Sequence, residues 1–153
     1  MQVHHVTLFV RDADRSLRFY RDGLGFTILV DREFDGDWPT LLGVASTRLR
    51  AVILGDPKHP HVGQVELITL AEPVPDGPPP GAPATGTVVL AFLVDLEAVL
   101  PALLAAGASD PRRTTLANGH AAATVRDPDG ILVELLDAQR RTGTRSRRPS
   151  RPA

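Results

Sequence analysis

The stretch RDPDGILVELLD, residues 126–137, joins a tight turn to a half-buried strand and sets a carboxylate, Glu134, where an apolar side chain belongs. Asp127, Pro128, Asp129 and Gly130 carry turn chemistry: proline fixes φ, glycine admits positive φ, and aspartate side chains bond nearby backbone. A strand follows, with Val133 and Leu135 on one face and Leu132, Glu134 and Leu136 on the other. A carboxylate flanked by leucines is costly to desolvate unless it is paired, protonated or bound to a cation. On a single strand, a second face open to water would explain it.

The strand occurs twice. Val65, Glu66, Leu67 and Ile68 repeat Val133, Glu134, Leu135 and Leu136, and a glycine closely precedes each copy. VTLFV (residues 6–10) resembles LAFLV (residues 90–94), and each runs through an aspartate into an apolar, helix-like stretch ending in glycine. Two copies of one supersecondary unit imply a shared core. The expected fold is α+β, two tandem βαβββ modules, with residues 1–71 as the first, a Pro/Gly-rich linker at 72–86, the second at 87–138 and an Arg-rich disordered tail at 139–153.

A chain of 153 residues with 42% hydrophobic content can bury a core. The absence of cysteine excludes disulfides, thiolate metal sites and cysteine nucleophiles, so a bound metal must be held by His, Asp, Glu or water. No signal-like N-terminus or membrane-length apolar run is seen, and a cytoplasmic protein is expected. Residues 1–139 carry 11 basic and 18 acidic side chains, a net −7, while the last 14 positions carry six arginines. Such a tail can touch nucleic acid, anionic lipid or the acidic body, although a solvated tail without a partner is the preferred account; no membrane or nucleic-acid partner is assigned to the body.

In chain order, QVHHVTLFV puts Val6, Leu8 and Val10 on one face and His5, Thr7 and Phe9 on the other. Asp12 or Asp14 caps a helix that Gly23 and Gly25 end, and residues 26–30 form a strand. Residues 31–47 resist assignment beyond a turn at 35–37; Phe34 and Trp38 either lid a pocket or cover the core edge. Strands are expected at 49–54, 64–70, 87–94, 109–116 and 120–126. In the helix LEAVLPALLAAG, Pro101 is awkward outside the first turn.

The repeated module, the opening VRDADRSLRFYRDGLGF and the ending RDPDGILVELL resemble the vicinal oxygen chelate superfamily, which includes glyoxalase I, methylmalonyl-CoA epimerase, fosfomycin and bleomycin resistance proteins and extradiol dioxygenases. The resemblance covers residues 2 to 137. It implies half-barrel modules around a cavity, paired within one chain or across a homodimer, and a divalent metal held by the first and last strands of each module. By position it assigns His5, Glu66 and Glu134 as metal ligands and places Val89, which cannot ligate, at the fourth. Alternation independently puts the first three on the less apolar faces of their strands. One histidine and two carboxylates suit Mn²⁺, Mg²⁺, Co²⁺, Ni²⁺, Fe²⁺ or Zn²⁺ and depart from the two-histidine set of non-haem oxygenases.

Two functions follow from the resemblance. In the first, a metal-dependent lyase or isomerase chelates adjacent substrate oxygens, and Glu134 or Glu66 moves the proton. In the second, a metal-free protein sequesters a small molecule among Phe9, Phe34 and Trp38, with Thr7 and Val89 on the same binding faces. Dioxygenase or group-transfer chemistry ranks below both, the latter because no substrate-binding basic group is identified.

Overall fold

The structure is a computed structural model that describes residues 2–72 and 82–138. Strand alternation gives its first module a wet face and a packed face: in β1 (His5–Phe9), Leu8 is buried while His5 and Phe9 are exposed. Asp12 then caps helix α1 by accepting from the Asp14 and Arg15 amides. This helix is α-helical over Ala13–Leu17 and π-helical over Arg18–Gly23, with the Leu24 amide donating to the Phe19 carbonyl five residues back. β2 (Thr27–Asp35), a short helix α2 (Trp38–Leu42), β3 (Arg48–Gly55) and β4 (Gln64–Leu70) complete the module. The second runs β5 (Val89–Val94), α3 (Leu96–Ala105), β6 (Arg112–Thr115), β7 (Ala121–Arg126) and β8 (Leu132–Asp137).

Each module folds into a four-stranded mixed sheet, in the orders β1-β4-β3-β2 and β5-β8-β7-β6. The first strand pairs parallel with the last, and the remaining pairs are antiparallel. This is the expected α+β architecture of tandem βαβββ modules, with α2 added between the second and third strands of the first. Residues 73–81 of the expected linker and the tail at 139–153 lie outside the described residues.

Several boundaries differ from expectation. The strand expected at 26–30 extends to Asp35, absorbing charged residues whose partners lie on β3, and the strand expected at 109–116 narrows to four exposed residues. Pro101 sits in the sixth position of α3, past the first turn. The helix tolerates it because Leu96, Leu100 and Leu103 bury the opposite side, leaving the proline and Glu97, whose carbonyl loses its partner, exposed to water.

One core spans both modules. Leu8, Val52, Leu54, Val65 and Leu67 from the first sheet and Leu90, Val125, Val133 and Leu135 from the second pack with Leu17, Phe19, Tyr20, Leu100 and Leu103 from the helices. The modules meet where α1 lies against α3, and Gly23 allows that approach: a Cβ there would sit 2.6 Å from Leu103 Cδ2.

Candidate functional site

Helices α1 and α3 cover one face of each sheet, and on the other, open face of the first sheet only Trp38 of α2 packs among the described residues, at one end. Register assigns that open face residue by residue. On the first sheet, Thr7 stands opposite Glu66 and Glu66 opposite Ile53, while Phe9 stands opposite Ile68 and Ile68 opposite Ala51. His5 is paired with Gln64 one row away. Leu8, Val65 and Leu67 face the core, so alternation leaves His5, Thr7 and Glu66 together on the other side, as their spacing predicts.

These three side chains touch. The Thr7 hydroxyl donates to Glu66 Oε2 at 2.7 Å, and His5 Nε2 lies 3.5 Å from the same oxygen. His5 Nδ1 is 2.8 Å from His4 Nδ1, which fixes the ring from its other side. Glu66 is largely withdrawn from water, its side chain 17% exposed, and its second oxygen has no partner among the described residues. Beside it Gln64 is buried; its amide nitrogen donates to the Pro60 carbonyl while its Oε1 has no hydrogen-bond partner.

On the second sheet Glu134 takes the place of Glu66, flanked by Leu132 and Leu136 on its own strand, Ala91 on β5 and Thr124 on β7. Val89 is opposite Leu132 as His5 is opposite Gln64, so register sets Val89 in the position equivalent to His5 and Ala91 in that of Thr7. The polar supports of Glu66 are thus replaced by apolar residues around Glu134, and Val89 and Leu93 stand 42% and 73% exposed.

A metal requires several of these groups at one point. Among the described residues no three His, Asp or Glu side chains are grouped closely enough to hold an ion. His5 and Glu66 come together, but Glu134 lies on the other sheet, and the modules meet through α1 and α3. One chain therefore presents a His–carboxylate pair, and the expected set of His5, Glu66 and Glu134 is not assembled within it.

The aromatic candidates separate in the same way. Phe34 and Trp38 pack on a small second cluster of Leu49, Ala51 and Ile68, and the Trp38 indole nitrogen donates to the Phe34 carbonyl at 3.3 Å. They cover the far end of the open face. Phe9, opposite Ile68 on the edge strand, remains 37% exposed.

A connected set of side chains went unread in the sequence. Asp127 accepts from the amides of Asp129 and Ile131, the local turn bonding expected, and also from the Tyr20 hydroxyl at 2.8 Å across the module boundary. Asp129 receives the Ser16 hydroxyl at 3.0 Å and Arg11 Nε at 3.0 Å. Burial lifts the Asp127 carboxyl above its ordinary range, opposed by the Ile131, Tyr20 and Asp129 hydrogen bonds; burial and then the Asp127 charge raise Tyr20 far above the usual phenol value. The clasp is one-sided: counting from the helix caps Asp12 and Asp95, Ser16 and Tyr20 correspond to Val99 and Leu103.

Comparison with known proteins agrees with this architecture. Residues 2–135 match the model of the Glyoxalase/Bleomycin resistance protein/Dioxygenase superfamily. The chain is 34% identical over 148 residues to the lactoylglutathione lyase-like protein terB of Aspergillus terreus, covering 88% of this chain and 74% of that protein. Its fold resembles a glyoxalase family protein from Bacillus cereus, with a TM-score of 0.73, 22% identity and coverage of 90% and 93% of the two chains. It also resembles the trypanothione-dependent glyoxalase I of Leishmania major, with a TM-score of 0.58, 24% identity and coverage of 90% and 87%. No helix among the described residues is long and apolar enough to cross a membrane. Paired βαβββ modules, the matched residues and the terB relationship together make this chain a member of the glyoxalase/bleomycin resistance/dioxygenase, or vicinal oxygen chelate, superfamily.

Proposed function

We propose that the protein is a lyase or isomerase acting on a small molecule with adjacent oxygens, and that Glu66 is the group that moves the proton. The observation that carries this reading is the hold on Glu66: Thr7 bonds one carboxylate oxygen and His5 approaches the same atom, leaving the other oxygen for substrate. A carboxylate fixed in this way and largely withdrawn from water can take a proton from carbon beside a carbonyl and return it to the neighbouring position. Thr7 and His5 keep the receiving oxygen aimed, and Phe9 and Ile53 give the substrate an apolar bed. The lyase name carried by the Aspergillus relative supports the reaction class. The test is turnover of lactoylglutathione and related vicinal-oxygen compounds. Glu66→Gln is expected to lower kcat by about 10²-fold or more with little change in stability; an unchanged rate removes Glu66 from the chemistry.

A second reading is favoured by the uncovered second sheet. Val89, Ala91 and Leu93 form an exposed apolar strip on an edge strand. A homodimer that covers it would bring Glu134 of a second copy to the His5–Glu66 pair and supply the third ligand for a divalent ion. Light scattering tests the dimer: a monomer at all concentrations rules out this assembly.

A further inference from the structure

The two faces of the first sheet treat their charges differently. On the helix side, Arg50 bonds Asp31 at 2.9 Å and Asp14 at 3.1 Å, and Arg48 lies 3.2 Å from Glu33 and 3.5 Å from Asp35. Every charged residue of β2 and β3 is neutralised in this way except Arg32, which has no carboxylate partner among the described residues. Arg32 alternates to the open face. It is opposite Ala51, in the row of Ile68 and Phe9, and its guanidinium carbon rests 4.3 Å from the centroid of the Phe34 ring. The outermost strand of the second sheet repeats the division: Arg113 pairs with Glu97 on the helix side, and Arg112, opposite Thr124, faces the open side.

We propose that Arg32 is an anion anchor, so that the ligand of the first sheet's open face is a small organic anion bearing a carboxylate or phosphate. Arg32 is two strands and one residue pair from Glu66, which strand spacing and rise convert to about 12 Å between Cα atoms. The contact with Phe34 draws the guanidinium toward the Leu49 row, away from Glu66, so a ligand that meets both groups must extend across Ala51 and Ile53. A guanidinium stacked on Phe34 is held in one plane with its N–H groups unspent, which suits two parallel hydrogen bonds to an anion. A ligand anchored there would place its far end at the free oxygen of Glu66. This assignment rests on the reading of that face as the binding site and adds the charge of what it binds.

Trp38, the only tryptophan, packs beside Phe34, so its fluorescence reports on ligands at this face without requiring turnover. Benzoate and phenyl phosphate are titrated against their uncharged counterparts benzamide and benzyl alcohol, using wild type, Arg32→Gln, Arg32→Lys and Glu66→Gln, each checked by thermal melting. The anions are expected to bind wild type about tenfold more tightly than the neutral compounds. Arg32→Gln should abolish that preference, Arg32→Lys should keep part of it, and Glu66→Gln should preserve or increase it. The relative strength of benzoate and phenyl phosphate decides between a carboxylate and a phosphate. Equal binding of charged and neutral compounds, or a preference that survives Arg32→Gln, overturns the anchor while leaving the face a binding site. No response to any compound overturns both readings together.

Discussion

Tyr20→Phe is the sharpest probe of how the two modules are joined. The substitution removes one hydroxyl and leaves the ring in place among Phe19 and the helix contacts, where the two rings meet edge to face at 4.9 Å. Tyr20 is fully buried and Asp127 is 4% exposed, so water cannot replace the lost bond. A hydrogen bond to a charged group contributes about 1.5–3 kcal/mol, and Asp127 keeps its two amide donors, so a loss of about 2 kcal/mol is expected. For a domain of this size that is a fall of about 4–8 °C in melting temperature. The pH dependence identifies the cause. Because burial raises the Asp127 pKa, its proton favours the folded state; that contribution is full below the unfolded pKa and is lost as pH rises through the folded one. Removing the phenol removes a bond that favours the charged form, so the penalty of Tyr20→Phe should be largest at neutral pH and shrink in acid. Urea denaturation at about pH 7 and about pH 4 measures both values, and a double-mutant cycle with Asp127→Asn isolates the pair. A penalty below about 0.5 kcal/mol, an equal penalty at the two pH values, or no coupling in the cycle would refute the reasoning.

Gly23→Ala should destabilise by about 1–3 kcal/mol, since its Cβ meets the fully buried Leu103, and calorimetry should show a lower melting temperature without loss of helix. Val89→His restores an imidazole at the position equivalent to His5; isothermal titration with Ni²⁺, Zn²⁺ and Mn²⁺ should show binding tightened by roughly tenfold, about 1.4 kcal/mol. Failure of both wild type and variant to bind any of the three ions leaves a metal-free ligand site. Binding by wild type that Val89→His weakens shows that position 89 does not face the ion.

The local parts of this fold were legible because alternation and repetition report directly on burial. Gln64–Leu70 forms the strand expected of it, and Glu66 and Glu134 occupy equivalent places because their flanking residues repeat. Long-range pairing was illegible. Nothing in the spacing of Tyr20 and Asp127, 107 residues apart, announces that they touch, so a turn motif read as local chemistry also joins the modules. Residues 31–47 misled for a different reason: β2 is rich in charge, and its mixture of signs looks like a loop until β3 supplies the opposite charges. Arg32 became distinctive only when its neighbours were seen to be neutralised. Trp38 lies on a helix of five residues, too short for periodicity to show.

The parallel pairing of β1 with β4 has a consequence for the order in which the chain can fold. β4 lies between β1 and β3, yet it is the last strand of its module to be made, and β8 holds the same place in the second. Until residues 64–70 emerge, β1 has no neighbour, and Thr7 waits 59 residues for the carboxylate it will bond. Closure of each sheet is therefore a late, non-local event of the kind that slows folding. The strand that completes each sheet also carries its acidic residue, so a chain stopped short of residue 64 lacks the insertion that unites the sheet as well as Glu66. The inward-set carboxylate and structural completion arrive together, and a half-made module has neither.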